Sequence, residues 1–204
     1  LVVRETIQLA IQAGVDWVQI REKDMPAREL VDLVRDAVRA ADALVGTSDG
    51  HVAPRVVVNN RLDVALAAGA AGVHLGRESV NVRDVVKWCR SGNAPPEFMI
   101  GVSCHSLEEA REAESAGANY IFFGPVFETP SKRAFGEPQG MARLAEICAS
   151  VGIGVIAIGG ADEVNAQDCM RAGAAGIAAI RMFQEARDVR VLKSAVQKIQ
   201  QYIG

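Results

Sequence analysis

SLEEAREAESAGANYIFFGPV, residues Ser106 to Val126, holds one full cycle of the pattern that organises this chain. Ser106 precedes Glu108 and Glu109, a combination suited to a helix N-terminus. The helix closes at Ala116-Gly117, where glycine can take the left-handed conformation at low cost. Tyr120–Val126 is then a short apolar run with a glycine-proline tip, Gly124-Pro125. Continuous apolar runs of this kind mark parallel strands covered on both faces.

The cycle recurs along the chain. Ala13-Gly14, Ala68-Gly69 and Ala172-Gly173 repeat the helix ending. Their spacing of roughly fifty residues is about the length of two strand–helix units in a barrel of usual size. Strands are expected at Trp17–Glu22, Arg55–Asn59, Gly72–Gly76, Met99–Cys104, Tyr120–Val126, Gly154–Gly159 and Gly176–Arg181. Leu1 to Asp16 reads as an amphipathic helix, and further helices fit near Ala27–Leu44, Arg61–Ala68, Val82–Cys89, Ser106–Ala116, Met141–Val151, Asp162–Ala172 and Ala186–Ile203, with Asp162 as a cap.

Strict alternation of strands with helices argues for a parallel α/β fold. The expected architecture is a single TIM (β/α)8-type barrel domain over residues 1–204. Its first strand is missing from this chain and is expected to precede Leu1. A flavodoxin-like doubly wound sheet is the alternative, but it normally has fewer strands. Gly46–Pro54 reads as a surface loop without chemistry, and Phe127–Gly140 as a mobile active-site loop.

Composition narrows the function. Half the residues are apolar, yet no uninterrupted run approaches a bilayer span. A net charge of −3 without a dense Lys/Arg cluster gives no track for nucleic acid. No secretory signal is visible. Cys89, Cys104, Cys148 and Cys169 show neither CxxC pairing nor zinc spacing, so buried reduced thiols in a cytoplasmic protein are expected.

Chemistry should gather at the carboxyl ends of the strands. Alternation puts Gln19, Arg21 and Lys23 on one face, where two cations and an amide suit a diphosphate-type anion; an ion-pair network with Glu22 or Asp24 is the alternative. Asn59 and Asn60 can bind a heterocycle edge or a phosphate, or serve the turn into the next helix. Ser103 and His105 share a face by the same alternation, Ser103 as a donor and His105 as an acid/base or a helix-entry residue. Thr129, Ser131 and Lys132 bring two hydroxyls and an ammonium to a loop that can close over a phosphorylated substrate. Gly159, Gly160, Ile180 and Arg181 follow the last two strands, where barrels often hold phosphate.

Taken in order, Gln19–Lys23 (QIREK), Asn59–Ala65, Gly72–Gly76, Gly101–Glu109, Phe123–Lys132 and Ala157–Gly160 resemble the thiamine phosphate synthase/thiazole tautomerase family over nearly the whole chain. The resemblance implies a TIM barrel that couples hydroxymethylpyrimidine diphosphate to thiazole phosphate, or its carboxylate, through a pyrimidine carbocation, with release of pyrophosphate. It implies that Gln19, Arg21 and Lys23 hold the pyrimidine and its diphosphate. Asn59, Ser103 and Lys132 would meet the departing pyrophosphate. Thr129, Ser131, Gly160 and the backbone at Ile180-Arg181 would seat the thiazole phosphate. Partners are then phosphorylated pyrimidine and thiazole small molecules, with a homo-oligomer allowed and no nucleic acid or membrane.

Two departures stand out. The synthases usually carry Asp at the positions of Asn60 and Ser79 as Mg2+ ligands, and neutral oxygens are poor substitutes around a hard dication. Arg181 stands where a small residue is common. The tautomerase branch also lacks the magnesium acids and uses a histidine at the position of His105. That branch usually loses the pyrimidine motif, which is intact here, and this favours the synthase. A catalytically inactive thiazole-phosphate-binding regulator is the third reading.

Overall fold

Seven apolar segments pair in sequence order into one parallel sheet, β1 to β7, with helices crossing between them. The computed structural model describes residues 3–44, 53–128, 137–186 and 188–203. In chain order the elements are α1 (Val3–Gln12), β1 (Trp17–Ile20), α2 (Ala27–Asp42), β2 (Arg55–Asn59), α3 (Leu62–Ala68), β3 (Gly72–Leu75), α4 (Val82–Trp88) and β4 (Met99–Cys104). Then follow α5 (Leu107–Ala116), β5 (Tyr120–Phe123), α6 (Gly140–Ser150), β6 (Gly154–Ile158), α7 (Ala166–Arg171), β7 (Gly176–Ala178), α8 (Arg181–Gln184) and α9 (Val189–Gln200). Among the described residues the sheet is a seven-stranded half-barrel of TIM type, with β1 and β7 as its edges.

Helix α2 shows why the helices dock. Leu30, Leu33, Val34, Ala37 and Ala41 recur at helical spacing, and all five are buried. They pack with Val18, Ile20, Val56 and Val58 on the outer face of the sheet. Ile121, Phe123, Val155 and Ala157 do the same with Ala113, Leu144 and Ile147 farther along. The intervening strand residues, Gln19, Asn59, His74, Ser103 and Phe122 among them, turn to the concave side.

The Ala-Gly repeat behaves as its chemistry requires. Gly69 and Gly117 cap α3 and α5 at φ 73° and 92°, and Gly14 and Gly173 also adopt positive φ. Ser106 caps α5, its Oγ accepting from Glu109 N at 3.1 Å.

Several boundaries differ from expectation, among them β7, which stops at Ala178, and α1, which ends at Gln12. β1 stops at Ile20, so Arg21 and Lys23 belong to the turn into α2 and not to a strand face. β5 stops at Phe123, because Pro125 has no N–H to give the ladder. α7 begins only at Ala166; Asp162 Oδ1 instead accepts from Val164 N and Asn165 N, at 2.9 and 3.3 Å, and organises the preceding turn. The last helix, expected from Ala186, begins at Val189 as α9, with Asp188 Oδ1 accepting from Arg190 N at 2.8 Å, and the short α8 lies before it, starting at the residue where β7 was expected to end. Among the described residues no helix is long and apolar enough to cross a membrane.

Candidate active site

The carboxyl ends of β1 to β4 bring four polar side chains to the concave face. Gln19 Nε2 donates to Asn59 Oδ1 at 3.2 Å, tying β1 to β2. The other end of the same amide, Gln19 Oε1, is buried and has no hydrogen-bond partner among the described residues. An acceptor in that condition is costly in a finished core, and it marks a place where a ligand donor fits. Arg21 and Lys23 follow in the β1–α2 turn, both exposed. Neither makes an ion pair with Glu22 or Asp24, so the network that would have explained them structurally is not there.

Ser103 ends β4 with its Oγ 2.9 Å from His74 Nε2. His105 goes elsewhere. Its ring Nδ1 lies 2.6 Å from the Gly124 carbonyl, and its backbone N donates to Glu109 Oε2 at 2.6 Å. A carbonyl accepts only, so Nδ1 is the nitrogen that donates to it and Nε2 is the one not used by this contact. Ser103 and His105 therefore do not act as a hydrogen-bonded pair.

His74 was visible in the sequence only as part of a strand tip. It is 1 % exposed, and burial holds its pKa down to about 4, so the imidazole is neutral. Strand alternation offered one clue, since it places His74 between Gly72 and Gly76 on the concave face.

Asn60 adopts φ 62° where β2 turns into α3. Its Oδ1 accepts from Gly76 N at 3.0 Å and from Ser79 Oγ at 2.5 Å. Ser79 Oγ accepts from the same Gly76 N at 2.7 Å. The two side chains at the positions where the family resemblance puts its magnesium ligands, with the acids replaced, thus bond to each other. Both are neutral, and among the described residues no three His, Cys, Asp or Glu converge as a metal cluster. This donor set does not fit Mg2+.

At the far side of the mouth, Val126 N and Phe127 N donate to the carbonyls of Ile158 and Gly159, both at 2.9 Å, extending the β5–β6 contact beyond the strands. A Cβ on Gly159 would come within 2.6 Å of Pro125 Cα, and one on Gly160 within 2.7 Å of Phe127 Cβ. The pair is glycine first because this loop packs on it, and the same close turn leaves backbone exposed at Gly160. The 127–140 loop is clamped at its base, with Gln139 N on Pro125 O at 2.8 Å and Gly140 N on Val126 O at 3.1 Å. Thr129, Ser131 and Lys132 lie outside the described residues. Ile180 and Arg181 start α8, both exposed, with Arg181 Nε 3.8 Å from Glu185 Oε1.

Known proteins resemble this chain over most of its length. The thiamine monophosphate synthase family model matches residues 3–183. A putative thiamine-phosphate synthase from Geobacter sulfurreducens is 43 % identical over 174 residues, covering 85 % of this chain and 76 % of the relative. The thiamine-phosphate synthase of Moorella thermoacetica is 36 % identical over 195 residues, 96 % of this chain and 87 % of its own. The solved thiamine phosphate pyrophosphorylase from Pyrococcus furiosus superposes with TM-score 0.83 at 32 % identity, over 99 % of this chain and 91 % of that one. The family model spans most of the chain and two-thirds or more of each relative is matched, so the chain belongs to the thiamine monophosphate synthase family.

Proposed function

We propose that this chain is a transferase that joins hydroxymethylpyrimidine diphosphate to thiazole phosphate, giving thiamine phosphate and pyrophosphate. The observation that carries the assignment to this mouth is the buried Oε1 of Gln19, without a hydrogen-bond partner among the described residues, in the strand that leads into the turn bearing Arg21 and Lys23. An aminopyrimidine offers the N–H donor that this acceptor lacks, while Arg21 and Lys23 suit the diphosphate on its methylene arm.

In the reaction the methylene C–O bond breaks and the pyrophosphate leaves with the electron pair. The thiazole nitrogen then gives its lone pair to the methylene cation, closing the C–N bond. Arg21, Lys23, Lys132 and a hydrogen bond from Ser103 stabilise the charge growing on the leaving group. The thiazole phosphate takes the backbone at Gly160 and at the start of α8, aided by Thr129 and Ser131. The loop bearing Lys132 excludes water from the cation.

Magnesium is implied by the family resemblance, yet the bonded Asn60–Ser79 pair is a poor seat for it. Charge on the diphosphate is therefore assigned to the cationic side chains, and no step is routed through a metal. The four cysteines are free, in keeping with a cytoplasmic location.

His105 supports a second reading. With Nδ1 committed to Gly124 O, its Nε2 is the basic site that a thiazole tautomerase needs. One assay separates the two: supply both half-substrates and follow thiamine phosphate and pyrophosphate. Turnover lost in Lys132→Ala and kept in His105→Ala supports the synthase. Absence of coupling, with thiazole carboxylate isomerisation abolished by His105→Ala, would replace it with the tautomerase.

A further inference from the structure

A polar chain runs inward from Ser103 through His74 to Tyr120, two residues to which the proposed reaction gives no task. Tyr120 is buried, and its hydroxyl has one hydrogen-bond partner among the described residues, His74 Nδ1 at 3.3 Å. His74 Nε2 in turn meets Ser103 Oγ at 2.9 Å. The ring centroids of Phe122 and Tyr120 lie 4.2 and 5.6 Å from that of the imidazole and shield it from water. Gly101, paired with His74 in register, leaves the space the Tyr120 ring occupies.

Two neutral tautomers compete. With the proton on Nδ1, the imidazole donates to the phenol oxygen, and the phenol's own hydrogen has no acceptor. Ser103 then spends its hydrogen inward on Nε2. A buried donor without a partner forfeits its hydration uncompensated. With the proton on Nε2, the phenol donates to Nδ1, Nε2–H donates to Ser103 Oγ, and every buried group is satisfied. The serine hydrogen is left for the mouth. A charged imidazolium is opposed by burial, which holds the ring neutral.

We infer that Tyr120 and His74 are positioning residues, a hydrogen-bond relay that fixes Ser103 as an outward donor to an anionic oxygen at the barrel mouth. The inference rests on the reading of Ser103 as a ligand contact given under Proposed function. It deepens that reading by assigning the direction of the hydrogen bond and the residues that set it. A donor-only serine favours a diphosphate oxygen and disfavours a ligand donor at the same place. No proton is transferred along the relay; it sets polarity.

The test pairs a tautomer measurement with binding and kinetics on the full chain. Nitrogen-15 NMR of His74, assigned by its loss in His74→Gln, should show protonated Nε2 and bare Nδ1 at neutral pH. Tyr120→Phe should mix the tautomers and weaken inorganic pyrophosphate binding by about tenfold, the worth of one hydrogen bond. Ser103→Ala should weaken it equally, and the double variant little further. His74→Gln, whose amide N–H can stand in for Nε2–H, should keep more kcat than His74→Leu at matched thermal stability. A protonated Nδ1, or additive losses in the double variant, would overturn the relay. Pyrophosphate binding and turnover unchanged in Ser103→Ala, with the Nε2–H tautomer intact, would overturn the ligand role of Ser103 instead and so locate the failure in the functional reading.

Discussion

Ser79 Oγ lies 2.5 Å from Asn60 Oδ1, and the Gly76 amide N–H points at both oxygens. The three groups close a small ring across the β2 and β3 ends, leaving little for a cation to take. Changing both side chains to Asp should convert that ring into a repulsive carboxylate pair in the absence of metal. Asn60→Asp/Ser79→Asp should therefore melt earlier than the parent without magnesium and be raised by it, binding Mg2+ at least about tenfold more tightly in calorimetry. Equal affinity in parent and variant would show that the metal positions lie elsewhere.

His74 predicts an acid limb in the stability curve. Its pKa falls from 6.5 in the unfolded chain to about 4 in the folded one, because burial disfavours the imidazolium. The unfolded state then binds the extra proton first, so stability is complete above pH 6.5 and is lost as pH falls toward 4. The loss from this one side chain is about 3 kcal/mol at the bottom of that window, taking 1.36 kcal/mol per unit. Chemical denaturation at pH 7 and pH 4.5 measures it. His74→Gln should have a lower starting stability and a visibly flatter dependence; an equal slope would move the titration to another group.

The spacing of Tyr120 against Gly101 makes a sharper structural prediction. A Cβ on Gly101 would overlap the Tyr120 ring, which lies in the barrel with few places to go. Gly101→Ala should cost about 1–3 kcal/mol, the range for forcing a methyl into a packed interior. The same substitution in a Tyr120→Ala background should cost much less, since the obstructing ring is gone. Urea denaturation of the four proteins gives the cycle, and additive penalties would argue against the packing described.

The alternation of strands with helices was legible because each element carries its own signal: an apolar run for the strand, a 3.6-residue stripe such as Leu30-Leu33-Val34-Ala37 for the helix, and a left-handed glycine between them. Asn59 and Ser103 were legible for the same reason, since a polar residue ending an apolar run sits at a strand's carboxyl end. Arg21 and Lys23 were placed on a strand face that ends at Ile20, because the sequence gives no sign of where β1 leaves its partner. The Tyr120–His74–Ser103 chain depends on the register of strands 29 and 46 residues apart, which no local pattern encodes. Gly159-Gly160 showed the reverse difficulty. The motif was read for phosphate, and its first physical reason is the packing of Pro125 and Phe127 on the turn.

Arg21 and Lys23 offer the most direct test of the mouth. Both are exposed, and no ion pair with Glu22 or Asp24 gives either a structural task. Replacing either with Ala should leave stability within about 0.5 kcal/mol, as for surface positions away from packed features. The loss should fall on the diphosphate substrate, because a charge-assisted hydrogen bond is worth about 1.5–3 kcal/mol, or roughly 10- to 100-fold in kcat/KM. Arg21→Lys should recover part of it and Lys23→Arg likewise, while the KM for thiazole phosphate stays nearly constant. Steady-state kinetics against each substrate in turn reads the split. A variant that melts normally and loses affinity for both substrates alike would place these cations away from the diphosphate, and an Arg21→Ala enzyme with unaltered kcat/KM would remove that residue from the site.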